Sequence, residues 1–224
     1  MKSLLLSLSV LLSIGLNAQI TKGQISYDVD YSSDSPEAAQ YMERLQNSSL
    51  DIYFTDGILA SNSVMGEFMT LKSVSVQSLD STFIFMDGMM GKIAMRLSNK
   101  ENQDDRNSQS LVADDAKVEL IDETKKIAGY DCKKAIITQK DGETSEVWYT
   151  TAILPSYRGG TYFSDKIPGA TMAITAKMNG MDVKISAYSV KTKFKKEEEI
   201  FSTATPKGYK VMTPEDMKKM RGGR

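Results

Sequence analysis

The chain has 224 residues, with 28 Lys and Arg against 29 Asp and Glu, one Cys and no His. Without imidazole it lacks the usual general base, the commonest metal ligand and every Ser-His or Cys-His pair, and one thiol closes no internal disulfide and builds no thiolate zinc site. A net charge of -1 gives no electrostatic reason to expect nucleic acid, and the length suits one domain.

Met1-Lys2 is a short positive start, Ser3 to Leu16 is apolar, and Leu16-Asn17-Ala18 ends in a small residue. This three-part pattern predicts a signal peptide over 1–18, cleaved before Gln19. The apolar run falls short of the roughly 20 residues that span a bilayer. A single domain over 19–224 is therefore expected in the periplasm or outside the cell, not membrane-spanning after cleavage. Cys132 reads as a small buried strand residue, since no second Cys and no His is available to activate it.

From Gly23 to Tyr31, Ile25, Tyr27, Val29 and Tyr31 alternate with polar residues, which predicts a half-buried strand. Ser35-Pro36-Glu37 then reads as N-cap, first-turn proline and first-turn acid of a helix running to about Gln46, with Ala38, Ala39, Met42 and Leu45 on one face. Strands and turns follow. Asp56-Gly57, Asp87-Gly88, Asp141-Gly142 and Asn179-Gly180 are each expected to form a tight hairpin turn. With Asn179-Gly180 at the centre, Met178/Met181, Ala176/Val183, Ile174/Ile185 and Met172/Ala187 share one apolar face, and Lys177/Asp182 and Thr175/Lys184 share the other. The same rule at Asp141-Gly142 pairs Lys140 with Glu143, Ile136 with Val147 and Ala135 with Trp148, leaving apolar groups on both faces. Ser81 to Met86 reads as a central strand and Lys92 to Leu97 as a further alternating one.

Ser98 to Ser110 is polar throughout and predicts a long exposed loop. Leu154 to Gly169 interleaves Pro155, Gly159, Gly160, Pro168 and Gly169 with Tyr157, Tyr162 and Phe163. It reads as a loop packed down on the surface, with an aromatic lid as the alternative. Lys195 to Glu199 is expected as a solvated connection. Thr213-Pro214-Glu215-Asp216 opens a final helix with Met217 and Met220 on its apolar side, before a solvated basic terminus. The sum is one antiparallel β-rich domain with a helix near each end.

None of the nucleophile-elbow, phosphate-loop or calcium-loop patterns is present, so no enzyme and no cofactor is expected. The unusual feature is 14 Met. Met86, Met89, Met90 and Met95 gather around one turn, and Met172, Met178 and Met181 lie along the hairpin. Thioethers fill cores, adapt to varied apolar ligands and hold Cu(I). Core filling is the simplest of these readings, an adaptable ligand surface the next, and copper the least supported.

Lys126 to Ala135 (KIAGYDCKKA), Glu146 to Thr150 (EVWYT) and Lys166 to Ala170 (KIPGA) occur in an order that resembles the secreted Bacteroidota families around GLPGLI, particularly the DUF4412-type group. Ala170 stands where GLPGLI has leucine. These families look like members of the LolA/LolB-like superfamily. The resemblance implies a mainly β (α+β) fold, a curved antiparallel sheet forming an incomplete barrel with helices covering the open side. It further implies a non-enzymatic protein that binds a hydrophobic small molecule or lipid acyl chain. The candidate cavity lining is Met172, Ile174, Met178, Met181, Val183, Ile185, Trp148, Phe83 and Phe85. The alternative is an envelope structural or protein-interaction module with a filled barrel, its partner an envelope protein.

Overall fold

The computed structural model describes residues 19–35, 38–98, 100–101, 116–158, 163–178 and 180–222. The predicted leader, most of the polar loop after Ser98, and Pro36, Glu37, Gly159, Gly160, Tyr162 and Asn179 lie outside the described residues. The fold is mainly β, an open, curved antiparallel sheet. Its strands are β1 (Gly23–Ser32), β2 (Ser49–Thr55), β3 (Ile58–Met65), β4 (Met69–Val76), β5 (Ser81–Gly88), β6 (Gly91–Ser98), β7 (Lys117–Ile127), β8 (Tyr130–Thr138), β9 (Thr144–Thr150), β10 (Ala170–Met178), β11 (Met181–Lys191) and β12 (Lys210–Val211).

The spatial order is β12-β6-β5-β4-β3-β2-β1-β11-β10-β9-β8-β7. Two meanders, β2 to β6 and β7 to β11, are joined by β1, which pairs with both β2 and β11. The short β12 runs parallel to β6. β7 touches β11 although three strands lie between them, so this arm of the sheet curls.

The turn chemistry divides the expected hairpins. The β10–β11 hairpin has the expected register: Met178 pairs with Met181, Ala176 with Val183 and Ile174 with Ile185. The Met172/Ala187 pair does not form. A β-bulge at Met172 breaks the alternation, and the β10–β11 ladder ends at Ala173 and Ser186. Asp56-Gly57 also turns the chain as expected, with Thr55 opposite Ile58 and Gly57 at φ +65°.

Asp141-Gly142 does not form a two-residue turn. Gln139 N–H donates to Glu143 O while Gln139 O accepts from Gly142 N–H, Gly142 alone in this loop takes a positive φ, and Asp141 caps the loop by accepting from the Glu143 N–H. The loop thus holds Lys140, Asp141 and Gly142. Ala135 pairs with Val147 and Lys134 with Trp148, one residue off the expected register. In this register Ala135, Ile137 and Val147 are buried together, while Lys134 meets Glu146 on the other side, next to the buried Trp148. A shift of one residue moves every side chain of a strand across the sheet relative to its partner.

Asp87-Gly88 is not a turn centre either. Gly88 pairs with Gly91 and Asp87 with Lys92, so Met89-Met90 forms the tip. Among the described residues, two positive φ values in a row occur at Ala128-Gly129, at +48° and +86°, between β7 and β8. Alanine carries no turn signature, so the sequence reading passed over it.

Helices are shorter than expected. α1 (Ala39–Arg44) starts at an Ala38 cap that makes no side-chain bond, not at Ser35, and the left-handed Asn47 follows its end. Its exit is fixed by the Ser48 hydroxyl donating to Leu45 O and by Glu67 N–H donating to Arg44 O. The run from Lys195 to Glu199 is solvent-exposed, as expected. It forms most of α2 (Glu197–Ile200), tied down by Lys22 to Glu197 at 2.6 Å and flanked by the packed Phe194 and Phe201. α3 (Pro214–Gly222) opens as read, with Thr213 and Asp216 bonded reciprocally as a capping box.

Candidate functional site

Strand register defines two faces. Val29, Ile185, Ile174 and Val147 form one row across β1, β11, β10 and β9. Ile25, Ile52, Ser61, Ser73, Ile84 and Met95 form another from β1 to β6. Both rows contain alternate residues of β1, so they lie on the same side of the sheet. The connection from β9 to β10 packs against this side on both arms. Ile153 and Phe163 join Ile25, Ile52 and Phe54, and Ile167 joins Ala135, Val147 and Ile174. A segment held by both arms marks the face as the concave one.

The plug is dense. Ile153 and Ile167 of the connection, like Met172 of β10 beside them, have no exposed surface, and burying a side chain of this size contributes about 1.5–3 kcal/mol. The Phe163 ring meets Phe54 edge-on with centroids 6.4 Å apart. Tyr27 donates from its hydroxyl to Thr171 O at 2.7 Å, beside the bulge, and burial pushes its phenol well above the usual range. Arg158 donates to Ile167 O at 2.9 Å, and Lys166 donates to Ala116 O at 2.6 Å. The segment from Leu154 to Gly169 is thus packed down where it is described. Tyr157 rests against the same cluster.

The nine candidate lining residues do not share one wall. Met172 and Trp148 belong to the cluster around Phe54, and Ile174 and Ile185 to that around Ile137. Val183 is buried and Met181 half-buried near the far turn; Met178 is paired in the ladder, and its side chain is outside the described residues. Phe83 and Phe85 lie on the opposite, convex face, in line with Val74 and Lys72. There Phe83 packs with Phe194, Ile200 and Phe201, and Phe85 meets Tyr209 edge-on at 6.2 Å. The sequence alone supplied the alternation within each strand but not the register between distant strands.

Between the plug and β6 the concave face turns polar, then apolar again. Ser61 bonds Ser73 at 2.8 Å, and Ser75 bonds Thr82 at 2.9 Å, so these buried hydroxyls satisfy one another. Beyond them Met69, Leu71 and Ile84 are half-buried. At the other arm, Trp148 carries Lys125 4.0 Å above its ring and donates to Glu146 at 2.7 Å. That bond first, then Lys134, holds the Glu146 carboxyl below its usual range. Cys132 has no exposed surface, and burial pushes its thiol up to about 11.

These features describe a curved β-sheet domain whose hollow is partly filled by its own connection. The chain belongs to the family described as N-glycanase peptide, N-terminal domain, whose model matches residues 76–211. No match to the DUF4412-type or GLPGLI families accompanies it. No curated protein matches the sequence. Among solved structures, PNGF-II in one crystal form aligns at TM-score 0.51 with 14% identity, over 89% of this chain and 32% of that one. A second form gives TM-score 0.52, 16% identity, and coverage of 89% and 33%. The MucA/MucB complex of Pseudomonas aeruginosa aligns at TM-score 0.41 with 11% identity, over 81% of this chain and 55% of the other. The chain therefore spans about a third of the PNGF-II chains it matches. At these identities the likeness is one of fold. No helix among the described residues is long and apolar enough to cross a membrane.

Proposed function

We propose that this chain is an exported, non-enzymatic interaction module that binds a protein partner in or beyond the cell envelope. The observation that carries this reading is the plug: Ile153 and Ile167 of the β9–β10 connection are wholly buried against the two arms of the sheet, where a carrier would hold its cargo. Kinship with the N-terminal domain of an N-glycanase, over about a third of the PNGF-II chain, fits a non-catalytic unit that works beside glycoprotein processing. Export rests on the leader pattern at 1–18. A mature chain beginning at Gln19 is the expected mass-spectrometric result, and an intact Met1 in the mature protein overturns it.

The LolA/LolB-like carrier is the second reading. The half-buried apolar side chains Met69, Leu71 and Ile84, on the concave face beyond the plug, favour it. An acyl chain laid there would gain about 0.8 kcal/mol per buried methylene. One experiment separates the two. Native mass spectrometry of the purified mature chain, with lysophospholipid and with fatty acid added, should reveal no stoichiometric adduct. Emission from Trp148, the one Trp of the chain, should stay unchanged. A one-to-one adduct with a saturable emission shift replaces the interaction module with the carrier.

A further inference from the structure

Four thioethers meet beneath α3, and we propose that they form a binding site for a soft monovalent metal ion, Cu(I). Met86, Met95, Met212 and Met217 pack around Ile93. Register explains the gathering. Met86 stands opposite Ile93, and Met95 lies two residues further along β6 on the same face. Lys210 and Val211 pair with Ile93 and Ala94, and Met212 donates from its N–H to Ala94 O at 2.9 Å, which sets Met212 beside Met95. α3 then lays Met217 over the strands. Residues directly opposite on neighbouring strands have Cβ atoms about 4.5–5.5 Å apart, and diagonal ones about 7–8 Å. The four thioether side chains thus belong to one cluster around Ile93, two from neighbouring strands, one from the residue after β12 and one from α3.

The donor set decides the ion. Thioether sulfur is soft and neutral, and it prefers Cu(I) to Zn(II) or harder cations, which seek imidazole, thiolate or carboxylate. The carboxylate next to Met217 in sequence, Asp216, is engaged in capping α3: it accepts from Thr213 N–H at 3.0 Å and from the Thr213 hydroxyl at 2.8 Å. Met212 and Met217 are 6% and 5% exposed, and Met86 and Met95 are half-buried, so two of the four side chains sit largely out of water. A pocket of about 290 Å³ lined by Lys210, Val211, Met212, Asp216 and Lys219 reaches Met212 from the surface and offers a path in. Its two lysines repel a doubly charged ion more than a singly charged one. The ion binds as Cu(I), and no electron is transferred. This relocates the methionine site that the sequence suggests. Met89 and Met90 at the β5–β6 tip are 81% and 57% exposed and point to no enclosed site.

The test is an anaerobic Cu(I) titration of the mature chain against a chromophoric chelator, with Ag(I) as a redox-inert check. Methyl-13C methionine NMR follows the same samples. One equivalent should bind, and the methyl signals of Met86, Met95, Met212 and Met217 should move while those of Met89 and Met90 stay. The double variant Met95→Leu/Met217→Leu keeps the packed volume nearly constant and should weaken binding by about 100-fold or more. Met89→Leu/Met90→Leu should bind as the parent does. Methionines that only fill the core give no uptake of either ion, and that result overturns the proposal. So do shifts confined to Met89 and Met90, or an undiminished affinity in the Met95/Met217 variant. Should that variant not fold, the methyl shifts of the parent chain decide the matter alone.

Discussion

Gly169 sits at φ +151°, and a Cβ there would lie 2.0 Å from the Thr150 carbonyl oxygen. That oxygen belongs to the backbone and cannot swing away, so the glycine of the Pro168-Gly169 pair is required by contact as well as by conformation. Gly169→Ala should cost about 3 kcal/mol of stability in chemical denaturation. Gly142→Ala, at φ +90° with nothing within 4 Å, should cost only about 1 kcal/mol, the conformational part alone. Cys132 offers a pH-dependent test. Burial raises its thiol from 9.0 to about 11, so the folded chain keeps its proton where the unfolded chain has lost it. The stability this represents is complete below pH 9 and is lost as pH climbs toward 11. At pH 8, iodoacetamide should leave the native thiol unmodified and alkylate it fully in denaturant. Rapid native labelling would refute its burial. The sequence made this residue legible, since a lone Cys within a strand pattern and without a basic partner reads as a small apolar side chain. It gave no warning of the contact that demands Gly169.

At the level of elements, alternation and turn residues reveal strands well and registers unevenly. The hairpin between β10 and β11 was set correctly because Met178/Met181, Ala176/Val183 and Ile174/Ile185 agree on one face and Lys177/Asp182 and Thr175/Lys184 on the other. Asp141-Gly142 misled by one residue, because glycine can serve as the left-handed member of a three-residue loop as readily as of a two-residue one. Ala128, at φ +48° beside Gly129, shows the converse, a turn without its usual residue. Ala128→Asn should stabilise the protein by about 1 kcal/mol, since asparagine tolerates the left-handed region better than alanine. A higher thermal midpoint checks this, and a lower one refutes the turn geometry. The helix start at Ser35 was misread for a related reason. Cap residues state a local preference, but α1 is set by where its exit carbonyls find partners in Ser48 and Glu67.

Across the whole molecule, β1 is the seam. It pairs on one side with β2 and on the other with β11, and its Ile25 is wholly buried in the cluster that also holds Trp148. Ile25→Ala should therefore cost about 3 kcal/mol and weaken both arms together. Trp148 fluorescence, reporting from the β7–β11 arm, and circular dichroism, reporting from all strands, should give coincident denaturation curves before and after the change. Separated curves would mean that the arms unfold independently. This coupling is invisible in the sequence, where β1 and β11 are about as far apart as the described chain allows. What the amino-acid order determined by itself was local: a chain without imidazole chemistry, strands marked by period-two alternation, and a capping box at Thr213. These depend on neighbours a few residues away. The tertiary structure alone decided which strands share a face, that the β9–β10 connection fills the hollow, and that Met86, Met95, Met212 and Met217 converge. Each of these follows from pairings over long sequence separations, set by how the curved sheet buries its apolar area rather than by any preference of the residues involved.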